Sequence, residues 1–237
     1  MRGLRRSLAF LTILGGSAEP DGRMMTWFPI AGALVGAIVG SAWWAAGKVW
    51  PPSVAAAVAV FVDLVVTGLL HVDGLIDSAD GLLAHMDRDR RLQVMREPTV
   101  GAFGVAVVVG VLIVRTAAFE AVAPNVVVIA AVWAASRTVM AVAARTMPYA
   151  RSEAGGLAAS MLGGGVAGVA VLGAVIAGVL AALAARGWGV AAVASTFVAG
   201  AIVVAFAHRR IGGFTGDVLG AAGVVAETIG LLVLAAR

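Results

Sequence analysis

The sequence has 237 residues, of which 61% are hydrophobic and 13% are charged, and its formal net charge is +4. Charged residues make up about a quarter of an ordinary globular chain, so this composition excludes that class and indicates an integral membrane protein. Cysteine is absent, which excludes disulfides, thiol catalysis and Cys-ligated metals. Because the arginines cluster at predicted helix ends, we interpret the basic charge as loop charge and not as a nucleic-acid-binding surface.

Apolar runs of about 20 residues predict an all-α, polytopic transmembrane helical bundle of about seven spans, formed as a single domain over 1–237. The predicted spans are 27–47, 53–70, 101–122, 125–146, 164–185, 188–207 and 214–236. Three connections contain residues that break helices, namely Pro51-Pro52, Pro124-Asn125 and Gly187.

The lysine and arginine residues predict the orientation of the bundle. With the N-terminus in the cytoplasm, twelve of the 17 basic residues lie inside and three lie outside, as the positive-inside rule favours. We therefore expect a protein of the cytoplasmic (inner) membrane with 71–100, 147–163 and 208–216 on the cytoplasmic side. The first residues, MRGLRRSLAFLTILGG, resemble either a signal peptide or an interfacial helix, and the lack of a clear cleavage site favours a retained helix.

Glycine recurs every four residues at two places, which are Gly32, Gly36 and Gly40, and Gly212, Gly216 and Gly220. Such faces let helices approach closely in lipid, and we interpret the first set as helix packing. A homo-oligomer stays open, because these faces serve contacts within or between subunits.

The most unusual stretch is HVDGLIDSADGLLAHMDRDRR, 71–91, which holds five aspartates between apolar runs. If 72–96 form one helix, Asp77 lies roughly 40° around the axis from Asp73, and Asp80 lies roughly 20° to the other side. Like charges so placed repel each other, and a divalent cation would offset the repulsion. Mg²⁺ prefers carboxylate oxygen and bridges to substrate phosphates. The pattern therefore predicts that these three aspartates hold Mg²⁺ at the mouth of a span, where ionisable groups are usually functional.

Neighbouring residues allow several interpretations. Gly74 and Gly81 leave room beside the acids for a bulky ligand. Asp87 would stay near the acidic face as a candidate catalytic base, although an ordinary surface pair with Arg91 explains it equally well. His71 is a further candidate base, and the alternative for a lone histidine at a helix end is a structural hydrogen bond.

Several arginines are candidates for binding phosphate, because guanidinium groups form forked hydrogen bonds with its oxygens. The same residues also fit an ordinary cytoplasmic flank; they are Arg88, Arg91, Arg96, Arg145 and Arg151. Arg137 falls inside a predicted span and needs a partner, for which Asp63 is one candidate.

The chain ends with a second constellation, IGGFTGDVLGAAGVVAETIG. Gly213 and Gly216 precede a predicted helix N-terminus with Thr215 as its cap, and free backbone N–H groups there bind anions. Asp217 adds a carboxylate, either as a candidate base or as an acid that complements the helix dipole.

Four segments together carry a family resemblance: HVDGLIDSADGL, DRDRRLQVMREPTVGAFGV, RTMPYARSEAGG and GGFTGDVLGAAGVVAETIG. In this order and spacing they resemble the cobalamin synthases, also called adenosylcobinamide-GDP ribazoletransferases. The resemblance implies that adenosylcobinamide-GDP reacts with α-ribazole, or its 5′-phosphate, to give adenosylcobalamin, or its phosphate, and GMP. It also implies Mg²⁺ as cofactor. The implied partners are these small molecules and membrane lipid.

Two other classes stay open. A CDP-alcohol phosphotransferase-like lipid enzyme also uses several aspartates, Mg²⁺ and a cleaved nucleoside diphosphate, although its motif has a longer gap between the acids. A cation channel or transporter would instead use Asp63, Glu120 and Glu227 as intramembrane sites and leave 71–91 as a loop.

Overall fold

The computed structural model describes residues 2–16, 23–151 and 165–236. Residues 152–163 of the predicted cytoplasmic segment 147–163, and residue 164 at the start of a predicted span, lie outside these ranges. The helices, in chain order, are α1 (Arg2–Leu11), α2 (Phe28–Ala46), α3 (Pro52–Val66), α4 (Leu70–Leu83), α5 (Arg88–Val94), α6 (Ala102–Glu120), α7 (Val126–Thr146), α8 (Val166–Ile211) and α9 (Gly216–Ala235). No strand occurs in these three ranges, and the predicted all-α class is confirmed.

Six helical segments of the described chain are long and apolar enough to cross a membrane, and they are Met24–Ala46, Ala102–Glu120, Val126–Thr146, Val166–Ala184, Gly187–Ile211 and Gly216–Ala235. α3 and α4 pass the same test only as a pair, with an angle of 89° between them. The count is thus six, or seven with the bent pair, which agrees with the predicted bundle of about seven spans.

The segment named α8 contains two spans, Val166–Ala184 and Gly187–Ile211, and these run along α7 in opposite directions. Gly165, just before the first span, accepts a hydrogen bond from Arg145 near the end of α7. Ala184, at the end of the first span, accepts one from Asn125 at the start of α7. In the second half, Gly200 packs against Val139, so the chain has returned toward the end of α7. The first and second halves therefore match the predicted spans 164–185 and 188–207, with the predicted change of direction near 187.

The glycine face of α2 is a packing surface, as predicted. A methyl group added at Gly32 would lie 2.5 Å from the carbonyl oxygen of Trp133, and one at Gly36 would lie 2.7 Å from that of Ile129. At Gly40 the nearest atom is the backbone Cα of Val126, at 2.9 Å. The backbones of α2 and α7 are therefore in contact, and only glycine permits this short separation between the two helices.

The acidic segment begins at a sharp bend. Gly68 and Leu69 have φ values of +58° and +62°, and two successive left-handed residues turn the chain out of the α3 direction. α4 then packs between α6 and α9, with Val72 and Leu75 buried against apolar side chains of both helices. The acidic residues therefore lie along the bundle and do not form a separate loop.

The expectation of one helix over 72–96 is wrong. α4 ends at Leu83, Ala84 is extended (φ −65°, ψ 156°), and α5 begins after Asp87. The break allows α5 to fold back on α4. Arg91, buried, donates to the carbonyl oxygens of Gly81 and Leu82, both at 2.9 Å, and so satisfies the carbonyl end of α4.

A buried charge cluster joins four helices at the centre of the bundle. Glu227 of α9 accepts hydrogen bonds from Arg115 of α6 (2.6 Å) and from Arg137 of α7. Asp63 of α3 pairs with Arg115 at 3.1 Å and accepts the indole N–H of Trp133 at 2.9 Å. Asp63, the candidate partner of Arg137, is thus wrong. Arg137 forms its ion pair with Glu227, and Asp63 forms its ion pair with Arg115. Two arginines and two acids leave the cluster neutral.

Candidate functional site

A cavity of about 230 Å³ lies where α1, α4, α7 and α9 meet the start of α2. Its wall is mainly apolar and aromatic, and it includes Phe10, Phe28, Met140, Tyr149 and Phe214. Phe10 stacks on Phe28 with ring centroids 6.0 Å apart, and Tyr149 meets Phe214 edge to face at 5.5 Å.

Two carboxylates and one arginine line the same cavity. Asp73, exposed, comes from the first turn of α4, and Asp217, partly buried, comes from the first turn of α9. Arg151 donates to Oδ2 of Asp217 at 2.7 Å and to the carbonyl oxygen of Met95 at 3.3 Å. The candidates Asp73, Asp217 and Arg151, from three separate sequence segments, are therefore brought to one place.

Asp77 lies beside this group. Its half-buried carboxyl group interacts electrostatically with Asp217, Asp73 and Arg151, so it belongs to the same charge environment. Three carboxylates face one arginine here, and the excess of negative charge suits a divalent cation. Among the described residues, however, no three His, Asp or Glu side chains are arranged closely enough to hold a metal by themselves.

Asp80 lies on α4 close enough for its charge to act on Asp77, but its carboxylate has a different role from the one that its spacing suggests. It is buried, and its two carboxylate oxygens accept the backbone N–H groups of Gly101 and Gly104, each at 2.8 Å. N–H groups at the start of a helix have no carbonyl partner within that helix, so Asp80, which belongs to α4, caps α6. The close approach also explains the glycines, because a methyl group at either one would lie 2.5 Å from an Asp80 oxygen.

Asp87 and Arg88 lie away from the cavity lining. Asp87 is exposed and caps α5, accepting the N–H of Arg90 at 2.9 Å. Arg88 donates through Nε to the carbonyl oxygen of Ile211 at 2.9 Å and through Nη2 to that of Ala150 at 2.7 Å. The predicted position of Asp87 on the acidic face is therefore wrong, because α4 has ended four residues earlier. Arg88 thus joins the end of α8 to the chain that follows α7.

The remaining arginine candidates are spread over the structure. Arg91 is held by the carbonyl oxygens of α4, and its burial, with the neighbouring Arg210, lowers its pKa. Arg145 donates to Gly165 and to the hydroxyl oxygen of Thr26 at 3.0 Å. Arg96 is exposed. Only Arg151 of the five candidates lines the cavity.

The glycine turn before α9 divides into two parts. Gly213 is buried against the carbonyl oxygen of Pro148, and the neighbouring residues Ala150 and Phe214 are joined by a backbone hydrogen bond of 2.9 Å. Gly213 is therefore a packing residue and not an open anion site. Gly216 is exposed, lines the cavity and has no atom within 4 Å of an added methyl group. Thr215 accepts the N–H of Val218 at 3.3 Å, as the predicted cap.

The expected space beside Gly74 and Gly81 is filled by protein. A methyl group at Gly74 would lie 2.7 Å from the carbonyl oxygen of Asp217, and one at Gly81 would lie 2.3 Å from the side chain of Met95. At Gly220 the nearest atom is Cα of His71, at 3.1 Å. Gly74 and Gly220 bring α4 into backbone contact with α9, whereas Gly81 accommodates the segment after α5, and the α4–α9 contact sets Asp73 beside Asp217.

His71 is the third catalytic candidate, and it lies inside the cavity wall. The side chain is 3% exposed, and neither ring nitrogen has a hydrogen-bond partner in the described part of the protein. The structural hydrogen bond that was the alternative interpretation is therefore absent among those residues. A buried imidazole without a partner is unusual, because an unpaired polar group inside a protein is destabilising.

The aromatic lining was missed by the sequence reasoning. Phe10, Phe28 and Phe214 are separated by long stretches of chain, and in an apolar sequence they look like lipid-facing or core residues. The one available signal was Tyr149, the single tyrosine of the chain, next to Arg151.

Comparison with known proteins identifies the family. The sequence model of the family described as cobalamin-5-phosphate synthase matches residues 3–235. Among curated relatives, proteins named adenosylcobinamide-GDP ribazoletransferase from Chlorobaculum parvum and Chlorobaculum tepidum are each 35% identical over 94% of this chain and 89% of their own length. The protein of that name from Bradyrhizobium diazoefficiens is 37% identical over 98% of this chain and 93% of its own length. No solved structure matches. The chain therefore belongs to the cobalamin-5-phosphate synthase family.

Proposed function

We propose that this protein transfers the cobinamide phosphoryl group of adenosylcobinamide-GDP to α-ribazole, or α-ribazole 5′-phosphate, and releases GMP. Family membership and the names of the relatives support a transferase of this kind. The structural observation that carries the proposal is the set of charged residues in the cavity lining. There, Asp73 and Asp217 from two helices lie with Arg151 at an aromatic cavity.

The reaction is a substitution at phosphorus. The ribazole hydroxyl oxygen forms a new bond to the phosphorus that carries cobinamide, and the bond from that phosphorus to the bridging oxygen breaks. The electron pair of the broken bond stays on GMP, and the hydroxyl proton passes to a base. Asp217, which lines the cavity, is the proposed base, and Arg151 holds it in place and attracts phosphate charge.

Asp73 and Asp77 are the proposed magnesium ligands. Mg²⁺ is commonly bound by one or two carboxylates together with substrate phosphates and water, so a preformed set of three acids is not required. When bound, the ion would neutralise diphosphate charge and favour departure of GMP. We leave Asp80 out of this set, because both of its oxygens already accept backbone N–H groups.

The N-terminal end of α9 is the proposed contact for a phosphate of the donor. Gly216 leaves the first turn open beside Asp217 and Arg151, and helix N-termini favour anions. The exposed Arg96 is a further candidate for the diphosphate. In this proposal the site faces the cytoplasm of a bacterial inner membrane, in accordance with the arginine distribution.

The channel alternative loses its main support. It needs Asp63 and Glu227 as ion sites, but both are paired with buried arginines in a neutral cluster, and Glu120 is exposed outside that cluster. An acid that already balances an arginine has no free charge for a passing cation.

The decisive assay uses purified protein in detergent micelles. Adenosylcobinamide-GDP and α-ribazole are added with Mg²⁺ or with EDTA, and GMP release and the base-on corrinoid spectrum are followed. We expect magnesium-dependent formation of both products. Release of CMP from a CDP-alcohol, with no GMP from the corrinoid, would transfer the protein to the lipid-enzyme class.

Two variants connect this activity to the site. Asp73→Asn removes a proposed metal ligand at an exposed position, and we expect GMP release to fall at least a hundredfold. Asp89→Asn is the matched control, because that acid is exposed and its ion pair within the described part of the chain is with Arg88, so its activity should stay near wild type. Equal activity of the two variants would refute the proposed metal site.

A further inference from the structure

The proposed base and its arginine come from two loops that run side by side. Arg151 follows Ala150 in the chain after α7, and Asp217 stands three residues after Phe214 in the chain after α8. The N–H of Phe214 donates to the carbonyl oxygen of Pro148 at 3.0 Å, and that of Ala150 donates to the carbonyl oxygen of Phe214 at 2.9 Å. Two backbone bonds are a short connection, so the geometry of the charged pair depends on what else holds these loops.

Arg88 supplies a second connection between the same two loops. It is the first residue of α5, and its Nε donates to the carbonyl oxygen of Ile211 at 2.9 Å, while Nη2 donates to that of Ala150 at 2.7 Å. Ile211 ends α8, where the last carbonyl groups have no partner within the helix, and Ala150 directly precedes Arg151. One guanidinium group therefore joins the end of α8 to the residue next to the arginine of the site.

The other end of α5 contacts that arginine directly. Arg151 donates at 3.3 Å to the carbonyl oxygen of Met95, the residue that follows α5. α5 is itself fixed to α4 by the buried Arg91, which donates to two carbonyl oxygens at the end of that helix. α5 thus connects the helix that carries Asp73 and Asp77 to the loop that carries Arg151.

We propose that Arg88 is a positioning residue for the reaction, because its two hydrogen bonds hold Arg151 and Asp217 in the geometry that the chemistry needs. The inference rests on the proposed function and adds to it a residue that lies outside the cavity lining. Arg151 donates to Asp217 at 2.7 Å, and a shift of either loop would lengthen this bond and move the proposed base away from the acceptor hydroxyl. A misplacement of about 1 Å costs up to about a hundredfold in rate.

The hydrogen bonds of Arg88 distinguish positioning from the phosphate contact that the sequence also allowed. An arginine binds phosphate in a fork through two neighbouring nitrogens, and here Nε and Nη2 are both directed at carbonyl oxygens. The remaining nitrogen, Nη1, pairs with the exposed Asp89 at 3.3 Å. Lysine has one nitrogen and no planar fork, so it would keep the charge at this position but not both bonds.

The first test compares Arg88→Gln and Arg88→Lys with wild type in the GMP assay. Both variants should lose about tenfold or more in kcat, while KM for adenosylcobinamide-GDP stays within about twofold. Arg88→Lys keeps the proposal testable if Arg88→Gln does not fold. A KM that rises about tenfold with kcat unchanged, or a wild-type kcat in either variant, would overturn the assignment.

Arg90→Gln is the matched control for both variants. Arg90 lies on the same helix, its side chain is 47% exposed against 51% for Arg88, and it forms an ion pair with Glu97 at the surface. Surface ion pairs contribute little, so this variant should keep the kcat and KM of wild type.

A double variant tests whether Arg88 acts through Arg151. Arg88→Gln combined with Arg151→Gln should lose no more than about twofold in kcat beyond Arg151→Gln alone, because the residue that Arg88 positions has already been removed. Losses that multiply would show that the two arginines act independently, and this result would contradict the positioning role.

Tyr149 provides a measurement that needs no turnover. It is the single tyrosine of the chain, it precedes Ala150, and its ring meets Phe214 edge to face. Protein labelled with 3-fluorotyrosine in nanodiscs should therefore give one fluorine resonance from this loop. Arg88→Gln and Arg88→Lys should shift or broaden it, and Arg90→Gln should leave it unchanged. A resonance of Arg88→Gln that coincides with that of wild type would show that Arg88 does not hold the loop.

The outcomes separate the positioning role from the proposed function. If wild type releases GMP and Arg88→Gln does so at the same rate, the function stands and the positioning role is wrong. If wild type releases no GMP, the proposed function is wrong, and the fluorine resonance still shows whether Arg88 holds the loop of Arg151.

Discussion

Glu227→Gln is the substitution that best tests the buried charge cluster. Glu227 is 1% exposed and accepts hydrogen bonds from Arg115, Arg137 and Ser136. The substitution keeps the shape of the side chain but leaves two buried arginines with one acid. Removing one partner of a buried ion pair costs about 3–5 kcal/mol. For a chain of this size, about 2–4 °C per kcal/mol gives a fall in Tm of roughly 6–20 °C.

The assay is thermal unfolding in one detergent at one scan rate, followed by tryptophan fluorescence. Trp133 donates to Asp63 within the cluster, so its emission reports on this region. Glu120→Gln is the matched control, because that residue ends the same helix as Arg115 but is exposed, and it should change stability by less than about 0.5 kcal/mol. Equal Tm values for the two variants would refute the reasoning.

A double variant separates loss of charge balance from loss of packing. Glu227→Gln combined with Arg137→Gln restores a neutral set, with Arg115 still paired to Asp63. We expect it to be more stable than Glu227→Gln alone by about 1 kcal/mol or more, since contacting residues are coupled. A double variant that is less stable than the single one by the full cost of Arg137→Gln would show that charge balance is not the cause.

Three further expectations concern the supports of the site, each measured by thermal unfolding beside the GMP assay. Gly74→Ala should lower the free energy of unfolding by about 1–3 kcal/mol and remove most of the activity, because the new methyl group would lie 2.7 Å from the backbone of Asp217. The control Gly110→Ala has open space around the new methyl group and should raise the free energy of unfolding by up to about 1 kcal/mol. Equal stabilities of the two variants would contradict the packing account. Asp80→Asn should lower the free energy of unfolding by about 1–2 kcal/mol, because it weakens the cap on the start of α6. If this variant is as stable as Asp89→Asn, the cap is dispensable. Arg91→Gln should lose about 1.5–3 kcal/mol because two buried carbonyl groups lose a charged donor, while Arg96→Gln, at an exposed position, should melt like wild type.

The acidic stretch shows why periodicity predicted part of the site and failed for the rest. Helical spacing correctly placed Asp73 and Asp77 on one side of α4, where both interact with Asp217. The same spacing grouped Asp80 and Asp87 with them, but Asp80 caps α6 and Asp87 caps α5. An aspartate that binds a metal and an aspartate that accepts backbone N–H groups have the same side chain, so only the position of the partner helix separates them.

The sequence by itself determined the membrane class, the helical bundle and its approximate spans, because each span must satisfy its backbone hydrogen bonds within about 20 apolar residues. It also determined that α2 has a packing face, since glycines at a spacing of four leave one side without side chains, but only the tertiary structure decided that α7 packs there. Only the tertiary structure decided that Arg137 pairs with Glu227, that Gly74 and Gly81 are filled by neighbouring segments, and that His71 faces an aromatic cavity. These depend on contacts between residues far apart in the chain, which local periodicity does not encode.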